Sequence, residues 1–454
     1  MNPNTTHDVA VIGAGLGGIA TAYFLKHQCP QLDVVVIDER QPMSYTSAQS
    51  GDNYRNWWPH PVMRAFTDDS ITLVEQLARD SENAIALKRR GYLLATRRTS
   101  ADDLVAALHA GYADPSLVRE HGEAAGGYRP PGADWAAEPD GVDVLSGRFL
   151  LERHFPMLSR DIRHVLHVRR AGDFSGQQLG QLLLERFREL GGQRRRARVD
   201  RIEKAGGFAL QLSGGDAVET ILVDRVVLAA GPMVGKLASP LDIDLPIANT
   251  YQQKVAFEDV KGAVSRTMPF AIDLDAANFA WTDDEAAFLA EDPGTRWLTG
   301  DLPGGLHCRP EGSGRWVKMG WAWNREHSEP AAELLEDPRR LDLFPELLIR
   351  AGSRFLPALA PYREDMPRRY SHYGGYYTMT AENWPLIGPT PVDGVFLVAA
   401  LSGFGTMAAC GAGRLCATWM SEGELPAYAD ALSLGRYRNE SLMAALRGAP
   451  RGVL

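Results

Sequence analysis

A chain of 454 residues, 45% hydrophobic and 23% charged, has material for two or three packed lobes and the composition of an ordinary globular protein. Its net charge of −9 and pI near 5.7 argue against nucleic acid or an anionic membrane as the main partner. No apolar run approaches the roughly 18 residues of a membrane span, and the first eight residues lack the basic and apolar parts of a secretory leader. The four cysteines (Cys29, Cys308, Cys410, Cys416) show neither CxxC nor metal-ligand spacing, so reduced thiols and a cytoplasmic location are expected.

Residues 8–12 form a short Val-containing apolar run, the mark of a buried parallel strand. Gly13-Ala14-Gly15-Leu16-Gly17-Gly18 follows and opens a helical pattern through Ile19, Tyr23 and Phe24. A second β-branched run, 34–37, ends on Asp38 and Glu39, with Arg40 next. In this order the glycines divide the work between them. Gly13 makes a tight turn, Gly15 lets the backbone approach a pyrophosphate, and Gly18 allows close helix–strand packing. The helix start offers unpaired N–H groups and a positive dipole end to the phosphates. Asp38 is placed for the ribose hydroxyls. It lies 25 positions beyond Gly13, against roughly 20 in the usual fingerprint, and the loop at 27–31 accounts for the excess. Strand, glycines, helix, strand and acid in sequence predict a bound dinucleotide.

Further along, residues 44–61 are small and polar, then abruptly aromatic, with Arg55 as the cation, as in a loop lying along a ligand. Helices are predicted at 61–78, 101–110 and 175–190, the last stopped by Gly191 and Gly192, and a strand at 91–95. Residues 122–147, loose in Gly, Pro and Ala, read as surface loops. Strands are expected at 198–204, 208–212 and 221–229, the last running into Ala230-Gly231-Pro232. The basic run 193–198 reads as a solvated edge. Between 246 and 367 aromatic strands and loops predominate, interrupted by a helix containing 343–356. A strand at 394–401 then leads through Ser402-Gly403-Phe404-Gly405-Thr406-Met407 into a helix.

These features resemble the D-amino-acid-oxidase-like FAD flavoproteins, in particular their sarcosine oxidase and glycine oxidase branch. The most specific parts are the glycine turn with its acid, the Leu228-Ala229-Ala230-Gly231-Pro232 turn, and the closing stretch from Tyr377 to Met407. The resemblance implies an α/β fold, α+β overall. A Rossmann-like FAD domain (1–86, 165–246, 373–454) would be interleaved with a substrate domain (87–164, 247–372) built on a large mixed or antiparallel sheet. It implies cofactor contacts from Gly13, Ala14, Gly15, Leu16, Gly18, Asp38, Glu39 and Arg40, and from Ser47, Ser50 and Gly51 along the flavin. Val199 falls on the adenine-contacting strand, Ala230 and Gly231 near the cofactor's middle, and Ser402, Gly403, Phe404, Gly405, Thr406 and Met407 at a helix start facing the flavin pyrimidine edge. A reduced flavin is an anion, which such a helix start stabilises.

Lys318, in Arg315-Trp316-Val317-Lys318-Met319-Gly320-Trp321, resembles the sarcosine oxidase lysine that activates dioxygen, since a fixed ammonium favours forming superoxide. The competing reading is an exposed strand lysine, and the alternation around it does not choose. Three departures stand out. Met407 replaces a substrate-holding lysine, Ala322 a histidine, and Gly375 the cysteine that tethers FAD, so FAD is expected to be non-covalent. Arg55 and Arg309 remain as partners for a substrate carboxylate, with structural ion pairs as the competing reading. Trp321, Tyr373 and Tyr376, with Tyr377 and Trp323, line a pocket or plain core, and His372 is a candidate for handling a substrate proton.

The expected activity is oxidation of a small-molecule amine or N-substituted amino acid. Hydride passes to FAD from the C–H next to a secondary or primary amine, the imine hydrolyses, and dioxygen is reduced to hydrogen peroxide. The alternatives are a dehydrogenase that hands electrons to a quinone or protein, and a non-catalytic flavoprotein assembly factor. With no second GxGxxG and no CxxC, an NAD(P)H monooxygenase or a disulfide reductase is disfavoured.

Overall fold

The computed structural model describes residues 6–448 apart from 113, 123–126, 133, 134, 215, 216 and 280. Residues 1–5, part of the stretch read as leaderless, and parts of the 122–147 segment lie outside them. Two large sheets carry the fold.

The first sheet has eight strands. Strand Thr6–Ile12 lies between Val34–Asp38 and Ala217–Leu228, parallel to both, and Gln193–Arg196, the basic run, adds a parallel edge. The central segments 9–12, 34–37 and 226–228 read as continuous apolar runs because both faces are covered. Val9, Val11, Val34 and Val36 pack under the helices Leu16–Gln28, Gly176–Glu189 and Gly405–Met420, while Ala10, Ile12, Val35 and Ile37 face a second cluster containing Phe208 and Leu397. One strand serves two neighbours along a single edge. The first part of Ala217–Leu228 pairs antiparallel with Phe208–Gly214, and its last three residues pair parallel with Val395–Ala399. The handover is at Gly394 (φ +80°), where a Cβ would lie 2.9 Å from the Phe208 ring.

The second sheet has nine strands, in spatial order Tyr370–Met379, Ala248–Glu258, Trp316–Gly320, Leu306–Pro310, Phe270–Asp273, Tyr92–Thr96, His164–Val168, Val142–Ser146 and Val118–His121. Two of its pairings are parallel and six antiparallel, so the sheet is mixed, as expected. Two differences from the sequence reading concern this sheet. Val142–Ser146 is a buried strand within the stretch read as loops: Gly and Pro around it mask a five-residue run that pairs on both sides. Residues 165–168 and 373–379, grouped above with the nucleotide lobe, are strands of this second sheet.

The crossing of helices Leu16–Gln28 and Gly405–Met420 holds the nucleotide turn against the closing segment. It depends on Gly413, where a Cβ would stand 2.6 Å from the backbone of Ala20 and Thr21. Overpacking of a tight interface costs about 1–3 kcal/mol, and most residues of both helices here are buried. Gly413→Val is therefore expected to destabilise the protein by at least that amount, read as a lowered melting temperature, whereas Ala431→Val, on a partly buried flank, leaves it near the parent value.

Candidate cofactor cleft and substrate cavity

A cleft of about 410 Å³ runs from the glycine turn, past the loop that follows Asp38, to the start of helix Gly405–Met420. Gly13 (φ +113°) donates its N–H to the Ile37 carbonyl, and a Cβ there would lie 2.4 Å from the Ala229 oxygen. A Cβ on Gly18 would lie 2.0 Å from the Gly13 oxygen. One oxygen of Asp38 secures the turn from outside, accepting from Ala14 N–H at 2.7 Å, and the other accepts from Arg40 N–H at 2.8 Å in the loop that follows. Ser47 Oγ accepts from Leu16 N–H at 3.1 Å, tying the next loop to the helix start. That helix begins without an acidic residue in its first turn, which leaves its positive end available to an anion.

Gly13, Ala14, Gly15, Leu16, Asp38, Glu39, Arg40, Ser47, Ser50, Gly51, Val199, Ala230, Gly231, Ser402, Gly403, Gly405 and Thr406 line the cleft. Gly18 lies beneath it, against Gly13. Phe404 and Met407 wall a second, smaller space of about 40 Å³, room for roughly three waters. The two spaces adjoin, sharing Ser50, Gly51, Lys254, Tyr377, Gly403 and Thr406.

The pleat of the nine-stranded sheet decides which of its residues face this junction. Across four strands, Arg309, Lys318, Ala256 and Ser371 lie opposite one another in one row, and His307, Gly320, Lys254 and Tyr373 in the next row on the same face. Val317, Met319 and Trp321 point the other way into the core. Lys318 thus faces the nucleotide lobe, but its ammonium is occupied. It donates to the Ser50 carbonyl at 3.3 Å and pairs with Glu311 at 3.3 Å and Asp52 at 3.8 Å. It lines neither space. Burial and the neighbouring Arg309 pull it below the usual lysine range, while burial raises Asp52.

Arg309 is likewise structural. It binds the Gly51 carbonyl at 2.8 Å and pairs with Glu311 and Asp173. Arg55 lines the small space. It is 4% exposed, donates Nε–H to the Trp57 carbonyl and lies over the rings of Trp58 and Tyr92. Trp321 is a core residue whose Nε1–H binds the Pro303 carbonyl. His372 is on the back of the sheet, between Gln253 and Arg340 and stacked on Phe344. Tyr373 shares the row of Lys254 but lines neither space; Tyr376 lines the cleft while its hydroxyl donates to Asp337.

A family model described as FAD-dependent oxidoreductase (DAO) matches residues 8–419. The chain belongs to the DAO family of FAD-dependent oxidoreductases. Among solved structures this flavoenzyme is similar to the L-proline dehydrogenase of P. horikoshii (14% identity, 96% of this chain and 99% of that one, TM-score 0.71). It is also similar to the glycine oxidase of Geobacillus kaustophilus (16%, 95% and 99%, TM-score 0.68) and the iminodiacetate oxidase of Chelativorans sp. BNC1 (16%, 94% and 98%, TM-score 0.66). At these identities the likeness is one of fold. A curated sulfide-quinone reductase of Aquifex aeolicus (strain VF5) is 38% identical over 73 residues, 16% of this chain and 15% of that protein's length.

The cleft suits FAD on its own terms, because the glycine turn has no room for a side chain and a helix start faces the space beside it. Sequence reasoning passed over Lys254, His307, Tyr92 and Asp52, all of which line the small space. No motif marks them; for Lys254 and His307 the strand alternation at 250–258 and 306–310, once in register, carries the signal. Gly13→Ala is expected to yield folded protein with strongly reduced FAD content, read as the flavin-to-protein absorbance ratio. The outward change Gly191→Ala, at a helix end with open space, is expected to retain it.

Proposed function

We propose that this flavoenzyme oxidises a small amino acid bearing a primary or secondary amine at the C–H next to nitrogen, with FAD held non-covalently. Dioxygen, reduced to hydrogen peroxide, is its electron acceptor. The observation that carries this reading is the pair of buried cations, Arg55 and Lys254, in a small space that adjoins the cofactor cleft. Lys254 is 6% exposed, and its ammonium lies 5.3 Å from the Tyr377 ring centroid with no hydrogen bond or carboxylate partner among the described residues. A buried charge without a counter-charge is costly. A substrate carboxylate supplies one to Lys254. The same two charges disfavour an ammonium beside them, so the amine binds neutral, with the lone pair that C–H oxidation requires. Tyr92, Phe270, Tyr377 and Phe404 wall the space with aromatic rings, and a bound substrate displaces the water it can hold. Bound FAD supplies the hydride acceptor. Gly375 lines the cleft where tethering relatives carry cysteine, and none of the four cysteines lines it, which supports a non-covalent cofactor.

The test is anaerobic mixing with primary and secondary amino acids and with the corresponding decarboxylated amines. The flavin absorbance should bleach with the acids at least tenfold more efficiently, and Lys254→Met should raise the acid's apparent Kd about tenfold or more, the loss of one charge-assisted hydrogen bond. Equal bleaching by the decarboxylated amines would overturn the reading.

One observation favours a second reading for the acceptor. The Lys318 ammonium is held by a carbonyl and two carboxylates and lines neither space, which suits a dehydrogenase passing electrons elsewhere. Stopped-flow reoxidation in air separates the two. An oxidase reoxidises fast and slows at least tenfold in Lys318→Met; a dehydrogenase reoxidises slowly in both.

A further inference from the structure

We infer that His307 orients the substrate, its Nε2 accepting a hydrogen bond from the neutral substrate amine, so that the small space selects amino acids that carry an N–H. This deepens the function proposed above and rests on it.

His307 is 6% exposed and lines the small space with Arg55 and Lys254. Its Nδ1 is 2.8 Å from the Gly305 carbonyl, which can only accept. The ring proton therefore sits on Nδ1, and in the neutral imidazole Nε2 is a bare lone pair. Burial, reinforced by the positive charges of Lys254 and Arg309, pushes the imidazole down to about 4, so it is neutral at any ordinary pH. Among the described residues no protein donor reaches Nε2. Directly across the sheet stands Gly320, and beyond it Lys254. A Cβ on Gly320 would lie 2.6 Å from Nε2 and 3.2 Å from Lys254 Cγ, so the imidazole and the lysine stem converge over a residue without a side chain. The space thus offers two cations and one fixed acceptor. An amino acid with a carboxylate and a neutral N–H amine answers all three. A tertiary amine, which has no N–H when neutral, leaves the acceptor unpaired, and that is costly in a desolvated site.

The experiment uses the FAD-loaded protein and two unreactive isosteres, pyrrole-2-carboxylate, which has an N–H, and furan-2-carboxylate, which has a ring oxygen in its place. Binding is read from perturbation of the flavin spectrum. The parent protein should prefer the pyrrole about three- to tenfold, the size of one neutral hydrogen bond. His307→Leu should abolish the preference while still binding furan-2-carboxylate. His307→Gln, which keeps an acceptor, should retain part of it, and Gly320→Ala, which displaces the imidazole, should reduce it. FAD content of each variant checks that the cleft is intact. An unchanged preference in both His307→Leu and Gly320→Ala, or no preference in the parent, overturns the role of His307 alone. If neither acid perturbs the parent spectrum, the carboxylate reading falls and this inference with it.

Discussion

Buried positive charge organises the junction between the two sheets. Arg309, Lys318, Lys254 and Arg55 are all withdrawn from water there, and each has to meet a counter-charge, a carbonyl or a ligand. Arg309 and Lys318 meet theirs within the protein. Between them they hold the Ser50 and Gly51 carbonyls, Asp52, Asp173 and Glu311. The loop after Asp38, which lines the cofactor cleft, is thereby pinned to the nine-stranded sheet. Lys254 is left facing the space where cleft and small cavity join. Satisfied charges fix the scaffold, and the unsatisfied one points to chemistry.

The nucleotide end is held by a different kind of constraint, the close approach of backbone to backbone. Gly13, Gly18 and Gly413 sit where any side chain would collide with a neighbouring main chain, and the Asp38 carboxylate links Ala14 in the turn to Arg40 in the loop that follows. Such contacts leave few alternatives to the backbone path. The same fold recurs in proteins at 14–16% identity, because backbone geometry tolerates wide change in side chains. In the proposed function, substrate choice rests on side chains such as Arg55, Lys254 and His307, which that shared frame positions without dictating.

The sequence alone determined the strand–glycine–helix–strand–acid unit, the closing strand and helix, and membership of a flavoprotein family, since all of these are local: they need only the order of residues along a few turns and strands. It also located Lys318 on a strand, but not the fate of its ammonium. What the tertiary structure decided is which residues meet. A side-chain period of two means that each strand shows half its residues to either face, and only pairing across strands says which half. That register turns Trp321 and His372 to the back of the sheet, buries Arg309 and Lys318 in ion pairs, and brings Lys254, from a strand distant in sequence, beside His307. Their proximity is a property of the sheet, and no stretch of the chain read by itself contains it.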